Sequence, residues 1–243
     1  MLLLMTPERV ELLGLPLDLI TLEQTLELLG TWTNQPNAKK TVVTSNPEFV
    51  VQCQTESAFA ADIRAADLIT ADGIGMVLAG KRFGLVVPRA TGVDIARGLM
   101  EKQGSSLRVF FFGAKSGVAQ LAAEKCAALY DIQIAGVQDG YFTPDQEATI
   151  ATRILEADTH FLLTGLGGGK QERFNEKRVA RVSIGCGGTI DVLAGVAPLA
   201  PQWIRGIGFE WLWRIVKFKR WQRGLKLLEF AVLALTRAKG FGS

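Results

Sequence analysis

Histidine and cysteine are scarce in this sequence of 243 residues. It contains one histidine, His160, and three cysteines that lie far apart without a CxxC pair, Cys53, Cys126 and Cys186. A structural zinc site draws most of its ligands from these two residue types, and a disulfide framework needs paired cysteines. The sequence therefore excludes the common zinc cages and predicts reduced, buried thiols in a cytoplasmic protein.

Other patterns that would assign a function quickly are missing as well. No apolar run approaches the roughly 18 residues of a membrane-spanning helix. The apolar Met1–Met5 is interrupted by Pro7, Glu8 and Arg9 before it reaches the length of a signal peptide. Neither GxGxxG nor GxxxxGK[ST] occurs, and no DxD-like acidic pair is present to hold a metal ion. We expect a protein that is not exported, does not span a bilayer, and uses no metal ion and no cofactor.

The positive residues that are present lie mostly at one end of the chain. Nine Lys or Arg and two Glu residues follow Pro201, so this segment carries +7 while the rest carries −4 of the net +3. Tryptophan and phenylalanine are interleaved with the cations, a pattern typical of a segment that binds a polyanion or an anionic membrane surface. We interpret residues 1–195 as the catalytic domain and 196–243 as a basic, aromatic-rich appendage that completes the active site.

The body of the chain alternates strand-like and helix-like segments. Five short runs rich in β-branched or aromatic residues end in glycine or small polar residues, and a segment of helical period follows each: 41–46, 108–113, 132–137, 161–167 and 182–188. This order predicts an α/β fold with a mainly parallel, Rossmann-like sheet flanked by helices. Ligands of such sheets bind at the carboxyl ends of the strands.

Polar residues close two of the early strands. Thr44 and Asn46 end the first one, where they can bind a sugar or simply cap the helix that Pro47 would begin. Asp72 follows the short strand-like run 67–70 beside Gly73. A carboxylate at that place can act as a general base, or it can form an Asx-turn.

Arg89 and a glycine run are candidate phosphate ligands. Arg89 precedes a predicted helix and can fork onto a phosphate, onto Asp72, or into a surface salt bridge. Gly113 to Gly117 forms one strand-to-helix turn. The stronger candidate is the run from Gly165 to Glu172, in which Gly167 permits close backbone approach while Lys170 and Gln171 supply donors. A flexible turn without a ligand is the alternative interpretation.

The order of these motifs is more informative than any one of them. Thr44–Asn46, Ala71–Gly75, Arg89–Asp94, Asp139–Phe142, Gly165–Glu172, Gly185–Asp191, Ala200–Trp203 and Gly208–Arg214 follow one another along the chain. Together they resemble the WecG/TagA/CpsF glycosyltransferase family, over residues 10 to 224. Two features depart from the family pattern, because Gly169 stands where the family has proline and the stretch 173–183 is short. We expect the loop around Gly169 to be more flexible for that reason.

The resemblance implies an inverting, metal-independent transferase. Its donor would be a UDP-sugar of the N-acetylmannosamine type, and its acceptor an undecaprenyl-diphosphate-linked sugar at the cytoplasmic face of the membrane, in surface polysaccharide or teichoic acid synthesis. By motif, Asp72 resembles the general base, and Thr44, Asn46, Arg89 and Gln171 resemble substrate-contacting residues. The tail arginines resemble the group that closes over the leaving diphosphate: Arg214, Arg220 and Arg223.

Other functions remain open at this stage. A nicotinamide-dependent oxidoreductase shares the Rossmann-like sheet but needs the GxGxxG turn that is missing here. A non-catalytic protein that binds a UDP-sugar or a membrane would keep the motifs without turnover. The resemblance implies an anionic membrane surface, and no nucleic acid, as the partner of the tail. The sequence leaves the oligomeric state open, including a homo-oligomer.

Overall fold

The computed structural model describes residues 6–197, 201 and 221–237. The strands are β1 (Glu8–Leu12), β2 (Leu15–Leu19), β3 (Lys40–Ser45), β4 (Leu68–Ala71), β5 (Arg108–Gly113), β6 (Gln133–Gln138), β7 (Phe161–Gly165) and β8 (Val182–Gly185). The helices are α1 (Leu22–Thr33), α2 (Pro47–Thr55), α3 (Ser57–Arg64), α4 (Ile74–Arg82), α5 (Gly92–Gln103), α6 (Val118–Tyr130), α7 (Glu147–Glu156), α8 (Lys170–Asn175), α9 (Thr189–Leu193) and α10 (Trp221–Thr236). Short 3-10 turns occupy Gly104–Ser106 and Pro144–Gln146.

Six strands form one sheet in the order β4-β3-β8-β7-β5-β6, and every neighbouring pair is parallel. The five strand segments expected from the sequence all belong to it, and β4 corresponds to the short run before Asp72. The α/β, Rossmann-like sheet flanked by helices is therefore confirmed. Asn46 and Pro47 begin α2 as expected, with Pro47 in the first turn.

The alternation of side chains along the strands places apolar residues on both faces of the sheet. One row crosses five strands through Leu68, Val42, Ile184, Leu163 and Phe111, and all five lie in the core beneath α1, α5, α6 and α9. Their neighbours along the strands point to the opposite face, where two further apolar clusters lie beneath α2, α3, α4, α7 and α8. A parallel sheet buried on both faces is the expected consequence of such continuous apolar strands.

An antiparallel hairpin, β1–β2, precedes the sheet and was not expected from the sequence. Its turn uses Leu13 and Gly14, both at positive φ (57° and 86°). Asp18 is buried, accepts two bonds from Arg9 at 2.8 and 2.9 Å, and accepts a third from the Ile69 backbone N–H at 2.7 Å. The buried Asp18, through its ion pair with the exposed Arg9 and its bond from Ile69, attaches the hairpin to β4.

Helix α10 packs against α2 on the face of the sheet that carries β1–β2. Phe230 and Ala234 of α10 are buried in the same apolar cluster as Phe49 and Val50. The Arg82 guanidinium donates to the Ala234 and Leu235 carbonyls at 2.6 and 2.8 Å, which satisfies carbonyls near the end of the helix. Part of the segment assigned to the appendage therefore contributes to the core of residues 1–195.

Candidate active site

The predicted polar residues after β3 and β4 lie on neighbouring strand ends. In the parallel register Thr44 is opposite Thr70 and Ser45 is opposite Ala71. Asn46 follows β3 and Asp72 follows β4. The Asp72 backbone N–H donates to the Ser45 carbonyl at 2.6 Å. The carboxyl edge of the sheet thus brings Asn46 and Asp72 side by side.

The structure gives Thr44 and Asn46 local hydrogen-bonding roles. The Thr44 hydroxyl is buried and donates to the Gly185 carbonyl at 2.9 Å, which ties the end of β3 to the end of β8. Asn46 is the N-cap of α2, and its Oδ1 accepts from the Glu48 and Phe49 N–H groups at 2.9 and 3.3 Å. The capping interpretation of Asn46 is confirmed. Contact with a sugar stays a prediction for both residues. Because Oδ1 of Asn46 accepts the capping bonds, its Nδ2 atom is the one that we expect to bind the sugar.

A close approach between two helices fixes the turn that holds Asp72. Asp72 is half-buried, Gly73 has φ +98°, and α4 begins at Ile74. A Cβ built on Gly75 would lie 2.6 Å from Cγ of Pro47, so α4 reaches α2 this closely because position 75 has no side chain. The Asp72 carboxylate is held at the edge by a short, well-packed turn.

Arg89 lies beside the end of β4. It forms a parallel bridge with Ala71, and the Ala90 N–H donates to the Ala71 carbonyl at 3.0 Å. The Thr70 hydroxyl donates to the Ala90 carbonyl at 3.0 Å on the other side of this segment. The half-buried Arg89 is therefore positioned one strand-width from the turn of Asp72. The structure brings Thr44, Asn46, Asp72 and Arg89 to one part of the edge.

The loops after β5 and β7 meet in a second part of the edge. Gly113 pairs with Gly165, and the Ala114 N–H donates to the Gly165 carbonyl at 3.2 Å. The chain continues from β5 to β6 on one side and from β7 to β8 on the other. This reversal is the topological switch point of the sheet, where open α/β sheets bind their ligands.

Glycines shape the loop after β7. Gly167 and Gly169 have φ +88° and +87°, and Gly167 and Lys170 are exposed. Proline cannot adopt the φ of Gly169, so this loop differs in backbone conformation from one with proline at that position. Beside it, the Gly140 N–H donates to the Ala114 carbonyl at 2.9 Å, which brings the loop after β6 to the same edge.

Gln171 and Glu172 open α8 but are buried at 2% exposure each. Gln171 Nε2 donates to Glu172 Oε1 at 2.7 Å, and Gln171 Oε1 accepts from the Gly187 N–H at 3.2 Å. Glu172 Oε2 accepts from the Gly169 N–H at 2.6 Å. The predicted substrate ligand Gln171 therefore lies between the loops after β7 and β8, and Lys170 is the exposed side chain of this motif.

Burial raises the pKa of Glu172 above its usual value, although the hydrogen bonds from Gln171 and Gly169 act in the opposite direction. Asp62, a second acid, raises it further. The thiols are inert by the same argument, because burial raises the pKa of Cys53 and Cys126 to about 11 and that of Cys186 to about 12. Cys126 and Cys186 are buried as expected, whereas Cys53 is only half-buried, and the reduced state of all three stays a prediction.

The cationic part of the predicted site is mostly outside the described residues. Arg214 and Arg220 are not among them, and Arg223 lies in the first turn of α10 with its side chain outside the description. Among the helices that are described, none is long and apolar enough to cross a membrane. No group of three or more metal-ligating side chains occurs in 6–197, 201 and 221–237.

Comparison with known proteins decides the family. The sequence profile described as "Glycosyl transferase WecG/TagA/CpsF family" matches residues 10–242, which is nearly the whole chain. The chain belongs to this glycosyltransferase family. It is thus an enzyme that uses a sugar donor and an acceptor in cell-surface polysaccharide synthesis, and the oxidoreductase alternative is excluded. The structural edge described above carries the motifs between Thr44 and Asp191 on which the family resemblance rests, whereas Ala200–Trp203 and Gly208–Arg214 lie almost entirely outside the described residues.

Sequence reasoning missed two contributors to this edge. Glu172 was named only as the last residue of the run from Gly165, yet its carboxylate accepts a hydrogen bond from the glycine loop directly. Gly185 belongs to a quoted motif, but its need to be glycine follows from three-dimensional contacts, since its Cβ would lie 2.8 Å from Glu172 Oε1. The adjacency of glutamine and glutamate one residue after a glycine run was the signal that could have indicated a buried polar pair.

Proposed function

We propose that this enzyme transfers an N-acetylmannosamine-type sugar from a UDP donor to an undecaprenyl-diphosphate-linked acceptor, with inversion and without a metal ion. The observation that carries the proposal is the meeting of two different groups of residues at one edge of the sheet. Asn46, Asp72 and Arg89 supply polar side chains at the ends of β3 and β4. The loops after β5 and β7 supply glycines and backbone N–H groups at the switch point.

The reaction is a single displacement. Asp72 takes the proton of the acceptor hydroxyl as the hydroxyl oxygen attacks the anomeric carbon of the donor sugar. The bond between that carbon and the β-phosphate oxygen breaks at the same time, and the electron pair leaves with UDP. Attack from the side opposite the leaving group inverts the anomeric centre. Asp72 suits the base role because it is half-buried at the rim of the edge, within reach of an acceptor.

The donor diphosphate binds at the loops after β5 and β7. Gly167 and Gly169 give the loop the positive φ that turns N–H groups toward an anion, apart from the Gly169 N–H, which donates to Glu172. Lys170 supplies an exposed ammonium beside them. Since the sequence has no DxD pair, protein cations take the place of a metal ion at the leaving group. Arg214, Arg220 and Arg223 of the basic tail are the proposed cations, and Arg89 is a fourth.

A screen of UDP-sugars with a lipid-diphosphate acceptor, read by mass spectrometry, tests the activity. We expect transfer from UDP-N-acetylmannosamine in the presence of a chelator, with product of inverted configuration. Transfer only from a different nucleotide sugar would overturn the donor assignment. A protein that binds UDP but transfers no sugar with any donor would be a non-catalytic homologue, whereas one that does not bind UDP would contradict the whole proposal.

The membrane partner is proposed from the outer face of α10. Leu225, Leu228, Val232 and Leu235 are 51% to 66% exposed and share one side of the helix, at spacings of three and four residues. The tail that contains α10, residues 201–243, carries the excess of Lys and Arg, which an anionic surface attracts by about 1 kcal/mol each. We propose that this side lies on the anionic inner face of the plasma membrane, and that the protein is cytoplasmic and peripheral.

Vesicle sedimentation separates the two roles of the tail. Leu228→Glu should weaken binding to anionic vesicles and leave transfer to a soluble acceptor intact. Arg220→Ala with Arg223→Ala should lower turnover more than vesicle binding, because seven other tail cations remain. Full turnover by the double arginine variant would remove these residues from the leaving-group site and shift that role to Lys170 and Arg89.

A further inference from the structure

A continuous line of hydrogen bonds joins two glycine loops through Gln171 and Glu172. It runs from the Gly169 N–H to Glu172 Oε2 (2.6 Å), from Glu172 Oε1 to Gln171 Nε2 (2.7 Å), and from Gln171 Oε1 to the Gly187 N–H (3.2 Å). One end is in the loop after β7 and the other is in the loop after β8. We call these two side chains the 171–172 clamp.

The clamp lies flat on β8. A Cβ at Gly185 would be 2.8 Å from Glu172 Oε1 and 2.9 Å from Gln171 Nε2, so no side chain fits between the clamp and the strand. The same Gly185 carbonyl accepts the bond from Thr44 that ties β3 to β8. The clamp is therefore built directly on the strand that joins the two halves of the site.

A carboxylate is a costly choice for this place. Glu172 is 2% exposed, and the charged group that acts on it is another acid, Asp62 of α3, which has a buried oxygen without a hydrogen-bond partner. Burying an ionised group is strongly unfavourable unless its hydrogen bonds compensate. Both oxygens of Glu172 accept N–H bonds, and a neutral glutamine could accept only with its single oxygen. The charge is what allows one side chain to hold two donors.

We infer that Glu172 is a positioning residue that, through Gln171, holds the amides of Gly169 and Gly187 at a fixed separation and so sets the affinity of the loop pair for the donor diphosphate. This inference rests on the proposed function. Gln171 then affects the binding of the donor indirectly, through the two loops that it joins. The two loops are then one binding unit whose geometry depends on a single buried carboxylate.

The first experiment is Glu172→Gln, with UDP affinity measured by calorimetry and amide exchange of Gly169 and Gly187 measured by NMR. The variant is isosteric and removes a buried charge, so we expect it to fold. One donor loses its acceptor, and we expect about a tenfold weaker affinity for UDP and faster exchange at both glycines, the scale of one unsatisfied buried donor. Unchanged UDP affinity together with unchanged exchange would overturn the inference.

A reciprocal swap sharpens the test. In the double variant Gln171→Glu/Glu172→Gln, the new carboxylate at position 171 can accept from the Gly187 N–H and from the amide now at 172, whose oxygen can accept from the Gly169 N–H. All three bonds are restored with the same net charge. We expect UDP affinity to return to within about threefold of the wild type, as pairwise coupling requires. A folded double variant that binds UDP no better than Glu172→Gln would show that the clamp does not set the affinity.

The matched control is Thr164→Val. The Thr164 hydroxyl bonds Asn175 of α8 and the Ile184 carbonyl, so this variant removes buried bonds beneath the same helix without touching either loop amide. It should lower stability and leave UDP affinity unchanged. If the wild type itself binds no UDP, the proposed function fails, and amide exchange in the single and double variants still decides whether the clamp holds the loops.

Discussion

The two parts of the active edge differ in what they offer a substrate. The β3–β4 end, residues 44–46, 71–73 and 89–90, presents polar and charged side chains. The β5–β7 end, residues 113–117, 139–141 and 165–170, presents glycines and backbone N–H groups, with Lys115 and Lys170 as exposed cations. The difference indicates a division of labour, in which the first part acts on the reacting atoms and the second holds the nucleotide. Substitutions in the two parts should therefore affect turnover and UDP affinity separately.

The largest effect is expected at Asp72. Asp72→Asn should lower turnover by about 10²-fold or more, the usual scale for loss of a general base, while the affinity for UDP stays at the wild-type value. Steady-state kinetics and calorimetry measure the two quantities. Asp131→Asn is a matched control, because Asp131 is exposed at the end of α6 in a left-handed conformation that asparagine also adopts. Near-normal turnover of Asp72→Asn would contradict the proposed role of the β3–β4 end in the reaction itself.

Phe230→Ala should be the most damaging change to stability. The ring is buried between α10 and α2, and truncation of a buried phenylalanine costs about 3 to 5 kcal/mol. Urea unfolding measures the loss, and Leu228→Ala, on the exposed side of the same helix, should change it by about 0.5 kcal/mol or less. α10 supports the β3–β4 end, whereas the nucleotide is proposed to bind at the β5–β7 end. The folded variant should therefore keep its affinity for UDP. An equal loss for both variants would contradict the packing of α10.

Gly113→Ala tests the β5–β7 end. The new Cβ would lie 2.4 Å from the Gly165 carbonyl oxygen, at a φ of +137°. We expect a loss of about 2 kcal/mol in stability and about tenfold in UDP affinity, because the contact between the two loops must open. Gly84→Ala provides the control for backbone strain alone, since Gly84 has φ +77° with open space around it. If both variants bound UDP equally well, the loop contact would have no part in the nucleotide site.

The smallest effect concerns pH. Because burial raises the pKa of Glu172 in the folded state, its contribution to stability is present below the unfolded pKa, near 4.5, and is lost as the pH rises through the folded pKa. The free energy of unfolding of the wild type relative to Glu172→Gln should therefore fall from pH 4 upward and then level off. Groups with the opposite sign, such as Asp158, whose pKa the bonds from Arg181 lower, cancel in this difference. If the free energy of unfolding of the wild type relative to Glu172→Gln rose with pH, the pKa of Glu172 would be lowered by folding and not raised.

The sheet was predictable because its strands carry an unambiguous local signal. Val42, Phe111, Leu163 and Ile184 lie in short apolar runs that end in glycine or polar residues, and such runs form buried parallel strands. The polar residues after these runs then had to lie at one edge. Asp72 was identified for that reason, whereas Arg89 was identified as a residue that precedes a predicted helix. The meeting of these two residues depends on the order of strands, which periodicity does not encode.

Features that depend on contacts between distant residues escaped prediction. The buried Asp18 that anchors the hairpin has partners at Arg9 and Ile69, and the second of these is 51 residues away. Gln171 is a polar residue of the kind that often binds a ligand at the surface. Its hydrogen bond from Gly187, in the loop after β8, depends on the folded structure and holds its side chain between the two loops. The conformation at Gly169 was not predicted either, because its φ and its bond to Glu172 depend on the folded loop, and the expected flexibility of this loop stays a prediction.

The last strand in the described part of the chain, β8, occupies the centre of the sheet, and this has a consequence for biosynthesis. β8 lies between β3 and β7. Val42 and Thr44 therefore cannot contact their partners, Ile184 and Gly185, until β8 has been synthesised. At ribosomal rates of about 5 to 20 residues per second, the β3–β4 pair must keep an open backbone edge for on the order of ten seconds before its partner is made. The N-terminal half of the enzyme therefore cannot mature on its own, and both parts of the active edge form together when residues 182–185 leave the ribosome.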